Sequence, residues 1–204
     1  MSGTDAPTTT VRPVFRGRVV ELVVLDERWE VVRHAEAVAV LAVDDRGRVL
    51  GVRQRRPAVG AVTWELPAGL IDPGESPAVA AARELAEEAQ LAATLAPLAV
   101  GYVSPGFTDE RVHLFEASDL RPTVGRPDAG EELHVEWLDL DAAWRAGASG
   151  ELTTSMVTLL GLRHAVAARA ATAAVAARAA TAAVAAQAAT DTVAATAGPA
   201  PVEQ

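Results

Sequence analysis

The sequence predicts a mixed α/β fold, and three observations carry that expectation. Ala37 to Val43 is a near-continuous apolar run, A-V-A-V-L-A-V, the pattern of a strand buried on both faces. Pro77 to Ala89 is a run of strong helix formers behind a turn-rich loop. Shorter β-type runs at Pro97–Tyr102, Val112–Ala117 and His134–Leu138 are separated by polar, Pro- and Gly-containing connections. With 204 residues, half of them hydrophobic, the chain is long enough for one domain with a full core.

The opening M-S-G-T-D-A-P-T-T-T has neither a basic nor an apolar segment, so residues 1–12 read as a disordered leader and not as a signal peptide. Residues 13–35 read as an N-terminal antiparallel β-hairpin unit, with strands at Val19–Leu25 and Trp29–Arg33 around a turn at Asp26-Glu27-Arg28. After the apolar run, Asp44-Asp45-Arg46-Gly47 is a turn, and Val49–Arg53 is expected to return as the partner strand. Asp119 to Glu132 reads as a mobile loop. Leu140–Arg145 reads as a short helix and Thr154–His164 as the start of a longer one, with an apolar face of Met156, Val157, Leu159 and Leu160.

The chemistry concentrates between Gly69 and Leu91. Asp72, Pro73 and Gly74 break regular structure, Ser76 offers an N-cap hydroxyl, and Pro77 suits the first helical position. At about 100° per residue, Glu84, Glu87 and Glu88 share one narrow arc of the helix that follows. Like charges so placed repel one another and call for a cation. Carboxylate oxygens on a rigid helix favour Mg²⁺, with Mn²⁺ possible, and the absence of cysteine removes thiolate zinc sites.

This stretch resembles the Nudix box, Gly-x5-Glu-x7-Arg-Glu-apolar-x-Glu-Glu-x-Gly-apolar. Gly69, Glu75, Arg83, Glu84, Leu85, Glu87, Glu88 and Leu91 match it, and Gln90 stands where the family has glycine. At that position either the glutamine adopts a left-handed backbone or the helix runs on. The resemblance implies the Nudix fold, a mixed β-sheet sandwiched between helices in an α/β/α arrangement, and a pyrophosphate hydrolase. It implies metal ligation by Glu84, Glu87, Glu88 and the Ala68 carbonyl. It also implies an Arg83–Glu75 pair that, with Gly69, supports the loop against the helix, and it places Arg83 and Glu87 in the catalytic apparatus.

Flanking motifs resemble the ADP-ribose pyrophosphatase branch. These are Gln54-Arg55-Arg56, Glu65-Leu66-Pro67-Ala68-Gly69 and Ser104-Pro105-Gly106-Phe107-Thr108-Asp109-Glu110. They imply substrate contacts from Arg56, Trp64, Glu65, Ser104, Pro105, Gly106 and Glu110, although Trp64 is equally at home in a core. In that branch the late loop carries a glutamate base or metal ligand. Glu131 and Glu132 fit its place, with Glu131 preferred. The branch also implies a homodimer through the N-terminal unit and a nucleoside diphosphate sugar as substrate, ADP-ribose first. The rival readings are another nucleoside diphosphate sugar or a catalytically silent nucleotide-binding module.

The net charge is −9, with 18 basic residues that are all arginine, which argues against nucleic acid as a partner. No segment has the hydropathy of a membrane span, and a cysteine-free chain suits the cytoplasm. The expected layout is leader 1–12, hairpin unit 13–35, Nudix domain 36–165 and an alanine-rich tail 166–204. In that tail Val166, Val175, Val184 and Val193 recur nine residues apart. Nine helical residues turn about two and a half times, so successive valines point to opposite sides and form no stripe. The tail is expected to be a helix that packs on nothing, or disordered.

Overall fold

Three strands come first, not two. In the computed structural model, which describes residues 9–125 and 133–196, β1 (Val11–Arg16), β2 (Val20–Leu25) and β3 (Trp29–His34) form an antiparallel sheet in that order. Val11 and Arg12, expected in the leader, already pair with Leu25 and Val24. Thr10 anchors this start, since its carbonyl accepts the Asp26 N–H at 2.9 Å and its own N–H reaches Asp26 Oδ1 at 2.8 Å. Asp26 and Glu27 both take positive φ, the left-handed pair that suits a hairpin turn.

The apolar run is β4 (Ala37–Ala42), buried at every position. It sits inside a sheet between β7 (Ala68–Leu70), to which it is antiparallel, and β9 (Arg111–Pro122), to which it is parallel, with β8 (Leu91–Tyr102) beyond β9. Both its edges are therefore taken, and the expected hairpin with the next strand does not form. That strand, β5 (Arg48–Arg56), pairs instead with β10 (His134–Asp139) and β6 (Ala61–Glu65), and an isolated bridge links Val43, just past β4, to Val49. The turn itself is as read, with Asp44 Oδ1 accepting the N–H groups of Arg46 and Arg48.

The strands β8 (Leu91–Tyr102) and β9 are longer than their apolar runs. Asp119 to Pro122, expected in the late loop, are the last residues of β9. Pro97 is tolerated within β8 beside an irregularity in register between Pro97 and Ala99. The helix α1 (Pro77–Ala89) packs Ala80, Ala81 and Leu85 on Val38, Val40, Ala42, Phe115 and Ala117. On the opposite face of β4, Gly161 of α3 (Met156–Thr196) lies close to Leu41, Leu66 and Leu114. The sheet thus lies between helices, as expected. Truncating the fully buried Leu41 or Leu85 to alanine would cost about 2–5 kcal/mol. The helix α2 (Leu140–Ser149) is capped by Asp139, which accepts the Ala142 N–H at 2.9 Å, and runs past Arg145 to Gly150 at positive φ.

The chain divides by contacts into a unit ending at Arg163 and a second unit from His164. The second unit is helical through Thr196, and its residues 167–183 are exposed. Thr172 and Thr181, nine apart, each donate to the carbonyl four residues back, at 3.0 Å. Among the described residues no helix is long and apolar enough to cross a membrane.

Candidate active site

The loop between β6 and β7 is held from several sides before it reaches the acidic helix. Pro67 O accepts the Val40 N–H at 2.9 Å, and Leu66 N–H donates to the buried Thr158 Oγ1 at 3.1 Å. Trp64 N–H reaches Thr153 O at 2.9 Å, and Thr154 Oγ1 donates to Trp64 O at 2.6 Å. Ala68 N–H then donates to Glu88 Oε2 at 2.9 Å, tying the loop to α1. Ser76 caps α1 by accepting the Val79 N–H at 3.4 Å, with Pro77 at its first position. Gln90 ends the helix with φ 54 and ψ 38 while its N–H still reaches Ala86 O, so the left-handed alternative is the one realised.

Arg83 is the hub of the acidic arc. Its Nε and Nη2 donate to the two oxygens of Glu75 at 3.1 and 2.9 Å, and Nη2 also reaches Leu70 O at 2.9 Å. Nη1 donates to Glu84 Oε1 at 2.7 Å and to Glu87 Oε2 at 3.0 Å. The hydrogen bonds from Arg83 hold the Glu75 carboxyl below its ordinary range, with the Asp72 N–H adding to the effect. In return Glu75, then Glu84 and Glu87, push the Arg83 guanidinium further toward the charged form. Glu84 is buried against Gly69, where a Cβ would run into its carboxylate. Strand and helix can approach this closely because residue 69 has no side chain.

These groups face a cleft of about 710 Å³. Ala68, Gly69, Arg83, Glu84, Glu87 and Glu88 line it, as do Arg56, Glu65 and Glu110. Arg56 Nη2 and Nε pair with Glu65 at 3.0 and 3.3 Å. Among the described residues no three acidic or histidine side chains converge as a ready coordination shell. Nη1 of Arg83 bridges Glu84 and Glu87, and Glu88 turns to the Ala68 amide.

Four predicted contacts are not brought to the cleft. Trp64 is fully buried, stacked so closely over Gly51 that a Cβ there would strike its ring, and its Nε1 has no hydrogen-bond partner among the described residues. It is a core residue. Ser104, Pro105 and Gly106 turn away because their loop docks on the N-terminal sheet. Val32 N–H donates to Phe107 O at 2.7 Å, and His34 N–H donates to Asp109 Oδ1 at 2.9 Å. Pro105 and Gly106 border a separate hollow of about 260 Å³ with Val31, Tyr102 and Phe107. The loop's two ends, Val103 and Glu110, do line the cleft, and Val103 N–H bonds Glu110 O at 3.1 Å. Glu131 and Glu132 lie outside the described residues.

Sequence reasoning missed several lining residues, namely Arg18, Val19 and His34 from the N-terminal sheet and Ser155, Val157 and Thr158 from the start of α3. Ser155 carried a signal, since its hydroxyl accepts the Thr158 N–H at 3.1 Å in the manner of an N-cap before an apolar helix. Arg18, in a short turn between strands, carried none.

A NUDIX domain model matches residues 33–156. The chain is 36% identical over 149 residues to the ADP-ribose pyrophosphatase of Bacillus subtilis (strain 168), spanning 69% of this chain and 80% of that protein. It is 43% identical over 132 residues to the ADP-ribose pyrophosphatase of Mycobacterium tuberculosis, spanning 62% of this chain and 63% of that protein. A crystal structure of an ADP compounds hydrolase superposes with a TM-score of 0.63 at 22% identity, over 83% of this chain and 98% of that one, a likeness of fold.

Proposed function

The chain belongs to the NUDIX family, and from that premise we propose that it hydrolyses the pyrophosphate of ADP-ribose to AMP and ribose 5-phosphate, or that of a close nucleoside diphosphate sugar to the corresponding nucleoside monophosphate and sugar phosphate. The observation that carries the reading is the arc of Glu84, Glu87 and Glu88 facing one cleft with the Glu65–Gly69 loop. The two ADP-ribose pyrophosphatases similar to this chain support the choice of substrate.

The donor set suits a hard divalent ion, since carboxylate oxygens and the loop carbonyl at Ala68 are oxygen ligands of the kind Mg²⁺ prefers. A Cβ at residue 69 would strike the Glu84 carboxylate, so the glycine leaves that carboxylate its place beside the loop. When bound, such an ion supplies neutralisation of the phosphates and a more acidic water. The protein's own part is placement. Glu75 holds Arg83, and Arg83 in turn orients Glu84 and Glu87. The Ala68 amide fixes Glu88 and with it the direction of the loop. Arg56, whose planar fork now faces Glu65, is suited to grip a phosphate, and Glu110 to accept a ribose hydroxyl. We assign the base to Glu131 or Glu132, a homodimer to the N-terminal sheet with its exposed Val14 and Phe15, and the cytoplasm as the compartment.

The test is Mg²⁺-dependent hydrolysis of ADP-ribose, ADP-glucose, GDP-mannose and NADH by the full chain, with Glu88→Gln as control. ADP-ribose is expected to turn over best, and the variant to lose most of its kcat. Cleavage of none of the four, or full activity in the variant, would refute the reading. Light scattering of the eluted protein checks the dimer.

A further inference from the structure

We infer that Arg18, in the turn between the first two strands, is a phosphate-binding residue of this cleft, an inference that rests on the substrate class just proposed. Glu65, Asp72, Glu84, Glu87, Glu88 and Glu110 all line the cleft, so an anionic diphosphate enters against a field of carboxylates. The lining cations are mostly spoken for. Arg83 is divided among Glu75, Glu84 and Glu87, and Arg56 is paired with Glu65 at 3.0 Å. Among the described residues Arg18 is the lining guanidinium that makes no ion pair, and it is exposed to the cleft's solvent. An unpaired guanidinium at such a wall can offer its fork to a phosphate without first breaking a bond to protein.

Its backbone is well held. Gly17 N–H donates to Val20 O at 2.8 Å and closes the turn, and Phe15 packs against Gly17. The strand β2 that leaves the turn buries Val23 and pairs with β3 along its length. The strand β3 is laced to the loop before Glu110 through Val32, Phe107, Asp109 and His34. The N-terminal sheet thereby carries a positive charge to the same cleft that the acidic helix lines, and does so from a fixed support.

The test is binding of ADP and of adenosine to the full chain by calorimetry, beside steady-state kinetics with ADP-ribose, for the wild type, Arg18→Ala and Arg18→Lys. Arg18→Ala is expected to weaken ADP binding and to raise KM about tenfold to a hundredfold, with kcat within about twofold. Adenosine, which lacks phosphate, should bind all three proteins alike, and Arg18→Lys should recover part of the loss. Unchanged ADP affinity in Arg18→Ala overturns the assignment, and so does an equal loss for ADP and adenosine accompanied by a lower Tm, which marks a structural role. A wild type that binds ADP through Arg18 yet leaves ADP-ribose intact would sink the proposed reaction while sustaining this site.

Discussion

Replacing Gln90 by glycine should stabilise the protein. Gln90 holds φ 54 and ψ 38 at the end of α1, a left-handed backbone that costs an L-residue about 1–2 kcal/mol. Its exposed side chain makes no hydrogen bond among the described residues, so its removal forfeits nothing. The bonds that matter there are backbone ones, Gln90 N–H to Ala86 O at 3.0 Å and Thr123 N–H to Gln90 O at 2.9 Å, and glycine keeps both. Glycine loses more chain entropy on folding, which takes back about 0.5–1 kcal/mol. The net is a gain of about 0.5–1 kcal/mol, or an increase in Tm of roughly 1–4 °C for a domain of this size. Thermal and urea unfolding followed by circular dichroism read it directly, with Gln90→Ala as control. Alanine keeps the Cβ and the strain, so it should leave Tm near the wild-type value. A glycine variant no more stable than wild type, or an alanine variant that gains as much, would show that the strain is not where the backbone angles locate it. Activity should be unchanged in both, because the backbone bond from residue 90 to Ala86 that ends the helix behind the carboxylates is kept.

Three further outcomes follow from the same site. Thr158→Val leaves the Leu66 N–H without its buried acceptor and should cost about 1–3 kcal/mol in urea unfolding, with Thr158→Ser restoring most of it; a valine variant of wild-type stability would remove Thr158 from its role in holding the loop. Gly69→Ala drives a methyl into the Glu84 carboxylate and should lower kcat/KM by about a hundredfold; near-normal kinetics would mean that Glu84 yields without consequence. The pH dependence of stability has a sign set by Glu75. Arg83's hydrogen bonds put its folded pKa below the ordinary 4.5, so its contribution is in full force above that value and fades as pH falls through the folded one. Urea midpoints measured from pH 7 down to 3 should therefore fall at the acid end, and Glu75→Gln should flatten that fall; an unchanged slope would place the acid sensitivity elsewhere.

What could be read from the chain depended on whether a segment's role is local. The helix α1 declares itself through Ser76, Pro77 and the formers that follow, and the structure keeps those bounds. The burial of β4 is written in its six apolar letters. Its partners are not, because backbone ladders look alike from either side and β9 pairs with it across 75 residues. The turn Asp44–Gly47 suggested a hairpin by its local chemistry, but competition from β7 and β9 left β5 to another sheet. The Leu91–Ala96 end of β8 is alanine-rich and poor in strand signals, and it is a strand by virtue of its pairing with β9. Among site residues, the box was legible because one helix and one loop supply all of it. Arg18, His34 and Thr158 come singly from distant segments, and no spacing rule connects them to the box. Trp64 was ambiguous by type, and the space opened by Gly51 settles it as core.

The bonds that hold the Trp64–Ala68 loop have a bearing on how the protein reaches its working state. Leu66 and Thr158 are 92 residues apart, and Trp64 and Thr154 are 90 apart. Closing loops of that length comes late and slowly in folding, since the entropy is lost before the contacts return it. A chain emerging from the ribosome can have α1, its caps and all its glutamates in place while the loop still lacks both anchors. Turnover, appearing only after the last of these contacts, would then serve as a clock for the completion of the domain, lagging behind any signal from its helices.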